Sequence, residues 1–229
     1  MTIKSYHDAR LEMSNLHHSA LQPTAFLDAD SPIVCDFAER HAGEGEPRER
    51  AVRLYYAVRD AIRYDMTTFG LDPNQFRASE VLQAPRAFCV PKAIALAAVA
   101  RAAGIPARIG FADVRNHLTS PRFTALMDDD LFRWHAYTSL WLEGRWVKAT
   151  PAFDIGLCER HNVPPLEFDG HEDSIFHPHD GLGRKHMEYV RFIGEFDDLP
   201  FETFDREMRI AYPRMLAAFA AERKQRATN

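Results

Sequence analysis

Cysteine is scarce in this sequence: Cys35, Cys89 and Cys158 are the only three in 229 residues. An odd number at wide spacing builds no disulfide framework and fits a reducing compartment. Long apolar runs are missing too. No stretch approaches the roughly 20 apolar residues of a membrane helix, and Met1 to Asp8 lacks the continuous apolar segment of a secretory signal. The expectation is a cytoplasmic protein with no membrane partner. Charge of one sign is not in large excess. Lys and Arg total 28 against 33 Asp and Glu, for a net −5 and a pI near 6.1, which argues against a general nucleic-acid binder. Gly-rich phosphate and dinucleotide fingerprints are absent, so nucleotide use is disfavoured and no cofactor is expected.

What is present is a globular composition, 46% hydrophobic and 27% charged, long enough to bury a full core. Ser31-Pro32 opens a helix that Gly43 closes. From Pro47 to about Tyr64 the residues Ala51, Leu54, Tyr55, Val58 and Ile62 fall on one helical face. Ser79 to Leu82 reads as a short helix ended by Pro85. Cys89 to Ala103 is an Ala-rich helix stopped by Gly104 and Pro106. A strand over Ala107 to Val114 follows, then a polar loop from Arg115 to Arg133. A hairpin comes next, with strands Trp134 to Leu142 and Trp146 to Thr150 around Glu143-Gly144. A His-rich loop, His161 to His186, precedes a helical tail from Phe201 to about Gln225, kinked at Pro213. The fold class is α+β. Residues 1–50 form an N-terminal helical extension, 51–154 the core, and 155–229 the His-rich loop and tail.

Cys89 stands at the first turn of the best-defined helix. A thiol there feels the positive end of the helix dipole, which lowers its pKa, and Lys92 adds a positive field. Unpaired N–H groups at the same helix start suit the oxyanion of a tetrahedral intermediate. The plain alternative is a small buried hydrophobe. Cys35, between Val34 and Phe37, reads as core. Cys158, in a polar stretch, reads as exposed.

Strand alternation puts Trp134, Ala136, Thr138 and Leu140 on one face and His135, Tyr137, Ser139 and Trp141 on the other. His135 thus shares a face with polar-tipped residues, as a base in a cleft would. A thiol–imidazole pair calls for a third group to hold the ring. Asp154, just after the third strand, is the stronger electrostatic choice, and Thr150 at the strand end is the other.

Four blocks carry a resemblance: Arg86-Ala-Phe-Cys89-Val-Pro-Lys-Ala, Ala103-Gly-Ile-Pro-Ala-Arg-Ile-Gly, Trp134-His135-Ala-Tyr and Gly144-Arg-Trp-Val-Lys-Ala-Thr-Pro. In this order they resemble the transglutaminase-like core, over roughly Val52 to Asp154. The resemblance implies a papain-like arrangement, with a cysteine-bearing helix packed on an antiparallel sheet and flanking helices at both ends. It implies Cys89 as nucleophile and His135 as base in acyl transfer on peptide or related amide bonds, with hydrolysis favoured over cross-linking. Two positions depart from the pattern. Ala87 stands where the family has glycine, and Thr150 where it has its acidic residue, so Asp154 is a physical substitute and not a motif match.

Two rival functions remain. Gly170 to Asp180 gathers His171, His177, His179 and three acids, so a metal-dependent hydrolase is one. A non-catalytic binding module, presenting the Arg115–Arg133 loop and the tail, is the other. The tail's stripe (Met208, Ala211, Met215, Leu216, Phe219) is expected to pack on the core. His117 is expected to be structural or solvent-facing.

Overall fold

The computed structural model describes residues 17–117, 119–180 and 182–228. Helix α1 spans Pro32–Ala42 and α2 Pro47–Ala61, each opened by a proline in its first turn. A two-residue strand, β1 (Arg63–Tyr64), ends the predicted α2 pattern early and pairs in parallel with β2 (Arg86–Ala87). Between them lies the short helix α3 (Ala78–Val81). Helix α4 (Cys89–Ala102) follows, then β3 (Ala107–Asn116), α5 (Pro121–Met127), β4 (Leu131–Leu142) and β5 (Arg145–Ala149). The chain continues through α6 (Ile155–His161), β6 (Met187–Phe196), α7 (Phe201–Ala211) and α8 (Pro213–Thr228). The main sheet is antiparallel, in the order β5-β4-β3-β6.

α4 is the centre. Every side chain from Val90 to Arg101 is buried, so this helix has no solvent face. Its two cations are satisfied by backbone carbonyls. Lys92 Nζ donates to the carbonyls of Arg59 (2.7 Å) and Ile62 (2.5 Å) at the end of α2. Arg101 donates to the carbonyls of Gln22, Ala107 and Asp197, which joins three distant segments. One apolar cluster runs from Leu27 and Val34 through α4 to Met208, Met215 and Phe219. The tail stripe therefore packs on the core at those three residues, as its spacing predicts.

The sheet has two faces. Trp134, Ala136 and Leu140 join the α4 cluster, and the Thr138 hydroxyl donates to the Ala93 carbonyl of α4. Tyr137, Ala112 and Val114 belong to a second cluster with Ala152, Leu166 and Phe176, which the segment after β5 lays over the opposite face.

Four local readings need correction. The loop between β3 and β4 contains α5, with Ser120 as N-cap. Residues 187–196 form the edge strand β6. Cys35 is exposed, its thiol donating to the Ala29 carbonyl at 3.4 Å, because Val34, Phe37, Ala38 and Ala42 form the buried face of α1. Cys158 is buried on α6, a helix the polar composition of its segment concealed.

Gly110 lies under the Tyr137 ring, and a Cβ there would meet ring atoms at 2.2 Å. Gly110→Ala is expected to destabilise the fold by about 2 kcal/mol, the usual cost of overpacking, read as a lowered urea midpoint at unchanged m-value.

Candidate active site

β5 pairs only with Thr138–Leu142 of β4, which leaves the first half of β4 open on that side. The start of α4 comes in there. Cys89 borders both apolar clusters, and the Ala136 backbone N–H is turned to its sulfur, as are those of Val90 and Cys89 itself. The three N–H groups favour the thiolate, but burial outweighs them and pushes the Cys89 thiol up to about 11. This reverses the expected lowering. A helix start supplies only a partial charge, and the desolvation of a sulfur between two apolar clusters exceeds it. The expected help from Lys92 is also missing. Its ammonium is committed to the α2 carbonyls, and burial draws its pKa down to about 7.

A bulge immediately precedes the histidine. Ala112 pairs with His135 but Val114 with Phe132, so β4 carries one extra residue immediately before His135. Trp134 takes the strain at φ 56°, a left-handed backbone rare for a bulky residue. Asp113 secures the bulge. Its Oδ1 accepts the Trp134 N–H (3.2 Å), and its Oδ2 is held by Arg191. Asp113 was not foreseen as a site residue, since an acid inside a strand gives no sequence signal of its own.

His135 is only 5% exposed, and its ring lies against Phe176 at 4.6 Å between centroids. Burial draws its pKa down to about 3, so the imidazole is neutral at ordinary pH. Its Nε2 is buried without a hydrogen-bond partner, and no hydrogen bond joins it to Asp154 among the described residues. Asp154 is instead the N-cap of α6. One carboxylate oxygen accepts the Leu157 N–H at 3.0 Å and the other the Tyr64 N–H at 2.7 Å. The expected orienting role conflicts with this placement: an aspartate before a helix start finds backbone donors closer to hand than a side chain across the sheet. What Asp154 does hold is Tyr64, whose half-buried ring packs edge-on to Phe153 and neighbours Cys89.

Other hydroxyls lie on the His135 side of the sheet. Tyr189 is T-shaped to the imidazole at 6.3 Å, and the Thr150 side chain sits beside the Tyr189 hydroxyl. Thr150 Oγ1 and the Tyr189 hydroxyl are both buried without a hydrogen-bond partner. Tyr189 lies on the strand that the sequence did not reveal.

Cys89 and His135 line one cavity of about 500 Å³, together with Tyr64, Trp134, Phe153 and Phe176. The proposed metal ligands lie elsewhere. His171 Nδ1 is 3.3 Å from Glu143, and Asp180 is taken by Arg184 and by two backbone N–H groups. Among the described residues no group of three His, Cys, Asp or Glu is placed to hold a metal ion. His117 pairs with Glu188 at 3.0 Å.

A cysteine at a buried helix start, sharing a cavity with a strand histidine, is the scaffold of a cysteine enzyme. The Transglutaminase-like superfamily model matches residues 36–151, just over half the chain, and the protein belongs to that family. A crystal structure of a Cytophaga hutchinsonii protein, provisionally described as a cysteine protease, is similar at 17% identity and a TM-score of 0.43. The match covers 58% of this chain and 40% of that one, so the chain spans less than half the length of that protein. No curated protein sequence matches. No helix among the described residues is long and apolar enough to cross a membrane.

Two outcomes follow for the site. Alkylation of Cys89 by iodoacetamide, resolved by peptide mass spectrometry, is expected to keep rising with pH past the ordinary thiol range toward about 11. Asp154→Ala is expected to lower stability by about 2 kcal/mol, from the lost cap and the orphaned Tyr64 N–H, while leaving that pH profile in place.

Proposed function

We propose that the protein is a cysteine-dependent acyl-transfer enzyme that acts on a peptide or related amide, with water as the favoured acceptor. The observation that carries this reading is the shared cavity of Cys89 and His135 at the N-terminus of a buried helix. A volume of about 500 Å³ suits a small molecule or a short peptide, one acyl donor rather than two protein side chains brought together. That favours hydrolysis over cross-linking.

The resting pair is a neutral thiol and a neutral imidazole, since burial raises the one pKa and lowers the other. His135 therefore acts as a general base. It takes the Cys89 proton as the sulfur attacks the carbonyl, and it returns that proton to the leaving amine. Water then attacks the thioester, again with His135 as base, and releases the acid and the free thiol. The N–H groups of Cys89 and Ala136, both turned to the sulfur, are the donors for the developing oxyanion.

The imidazole packs on Phe176 and lies T-shaped to Tyr189, whose hydroxyl, beside Thr150 and without a hydrogen-bond partner, is the group free to turn to it, with Asp154 supporting the Tyr64 wall. A hydroxyl stabilises an imidazolium far less than a carboxylate does, in keeping with a neutral resting histidine. Three cysteines without a disulfide support a reducing compartment, such as the cytoplasm, for this reaction.

Cys89→Ala is expected to abolish amine release from a panel of N-acyl anilides and short peptides at an unchanged melting temperature. Full turnover by that variant would remove Cys89 from the chemistry. The free enzyme's kcat/KM is expected to stay flat between about pH 5 and pH 9, because the two governing pKa values lie outside that window. A bell centred near neutrality would show an ion pair instead. Thr150→Val is expected to lower kcat with little change in stability, the opposite of Asp154→Ala; the reverse order would return the orienting role to Asp154.

A further inference from the structure

The cavity over Cys89 has a wall that selects what enters it. Phe123, Phe132, Phe153, Phe176, Met66 and Met208 supply much of the apolar part. No aspartate or glutamate among the described residues lines it, although acids outnumber Lys and Arg in the chain. Two arginines do, Arg133 and Arg184, along with His161 and His186.

Arg184 and His186 form a built pair. The segment that carries them is bridged to Pro178–Asp180, with His179 opposite Lys185 and the His186 N–H donating to the Pro178 carbonyl. Residues two apart on an extended segment project to the same side, and both of these line the cavity. Asp180 holds the Arg184 guanidinium, at 2.8 Å from Nε and 2.7 Å from a terminal nitrogen. Asp180 is itself fixed by the N–H groups of Leu182 and Arg184, and it does not line the cavity. The guanidinium thus keeps further donors for a ligand while its carboxylate partner stays outside. His186 is only 5% exposed, and its Nδ1 has no hydrogen-bond partner. That nitrogen is closed to water as the ring stands, so a ligand in the cavity meets it only when the imidazole turns.

We propose, on the acyl-transfer reading of Cys89, that the substrate's acyl group is an apolar chain bearing a carboxylate, and that Arg184 and His186 receive that carboxylate. The Arg184 guanidinium donates to it through the N–H groups that Asp180 leaves free, the His186 ring turns to add a further bond, and the aromatic and methionine wall encloses the chain. The subsite sets specificity and takes no part in bond breaking.

Isothermal titration of the wild-type protein with 3-phenylpropanoate and with 3-phenylpropanamide tests this, since the two probes share a shape and differ in charge. The carboxylate is expected to bind about tenfold more tightly than the amide, the value of one charge-assisted contact. Arg184→Gln and His186→Phe are each expected to bring the two affinities close together. Equal or tighter binding of the amide, or binding of neither probe, overturns the proposal. Because Arg184→Gln frees a buried carboxylate and can loosen its loop, the wild-type comparison decides alone. Calorimetry does not read turnover, so an active Cys89→Ala would strike the acyl-transfer reading and leave the subsite standing, and the converse holds.

Discussion

The constraint on which the rest depends is the complete burial of α4. A helix with no solvent face needs apolar neighbours on every side, and this chain supplies them from both ends of the sequence, from Leu27 and α1 to α7 and α8. The same burial dictates the treatment of its two cations. Lys92 and Arg101 cannot be hydrated, so each is turned to backbone carbonyls that would otherwise lack donors. The helix thereby becomes a strut, tied to the end of α2 at one point and to three separate segments at another.

Cys89 stands where that strut meets the open edge of β4. Burial sets the character of the pair, since the forces that pack the helix also strip water from Cys89 and His135 and hold both neutral. Alternation leaves the imidazole on the face of the sheet away from the main α4 cluster, against Phe176, and Cys89 reaches it because it borders both clusters. The extra residue in β4, with Trp134 in a left-handed conformation and Asp113 bracing it, breaks the regular ladder just before His135. Strain is thus concentrated at one residue beside the site, and Asp113 stabilises it from a neighbouring strand.

Much of this was legible in the sequence. The proline-opened helices, the glycine stop of α4 and the Glu143-Gly144 turn are local signals, and local signals survive folding. That Cys89 and His135 face one cavity follows from a helix start and a strand face that are each encoded within a few residues. The failures share a different cause. Asp154 after a strand reads equally as a cap or as an orienter, and only the position of the Tyr64 N–H decides between them. Cys35 and Cys158 exchanged places because neighbours in a helix point some 100° apart, so the company a residue keeps in sequence does not tell which way it faces. The thiol's pKa depends on how much water the whole fold removes, a quantity no window of sequence holds. Thr150 and Tyr189 come together only after β6 has joined the sheet.

β6 has a consequence for the molecule's life in a crowded solution. Its pairing with β3 skips Ile193 and Val190, so two residues are extruded from a ten-residue edge strand, and Val190 and Phe192 are left half exposed. A flat edge with that much apolar surface would template the addition of further strands and begin a fibril. The two interruptions break the regular spacing of its free N–H and C=O groups, so an incoming strand finds no continuous register to extend. The irregularity that hid β6 from its sequence pattern is also what ends the sheet.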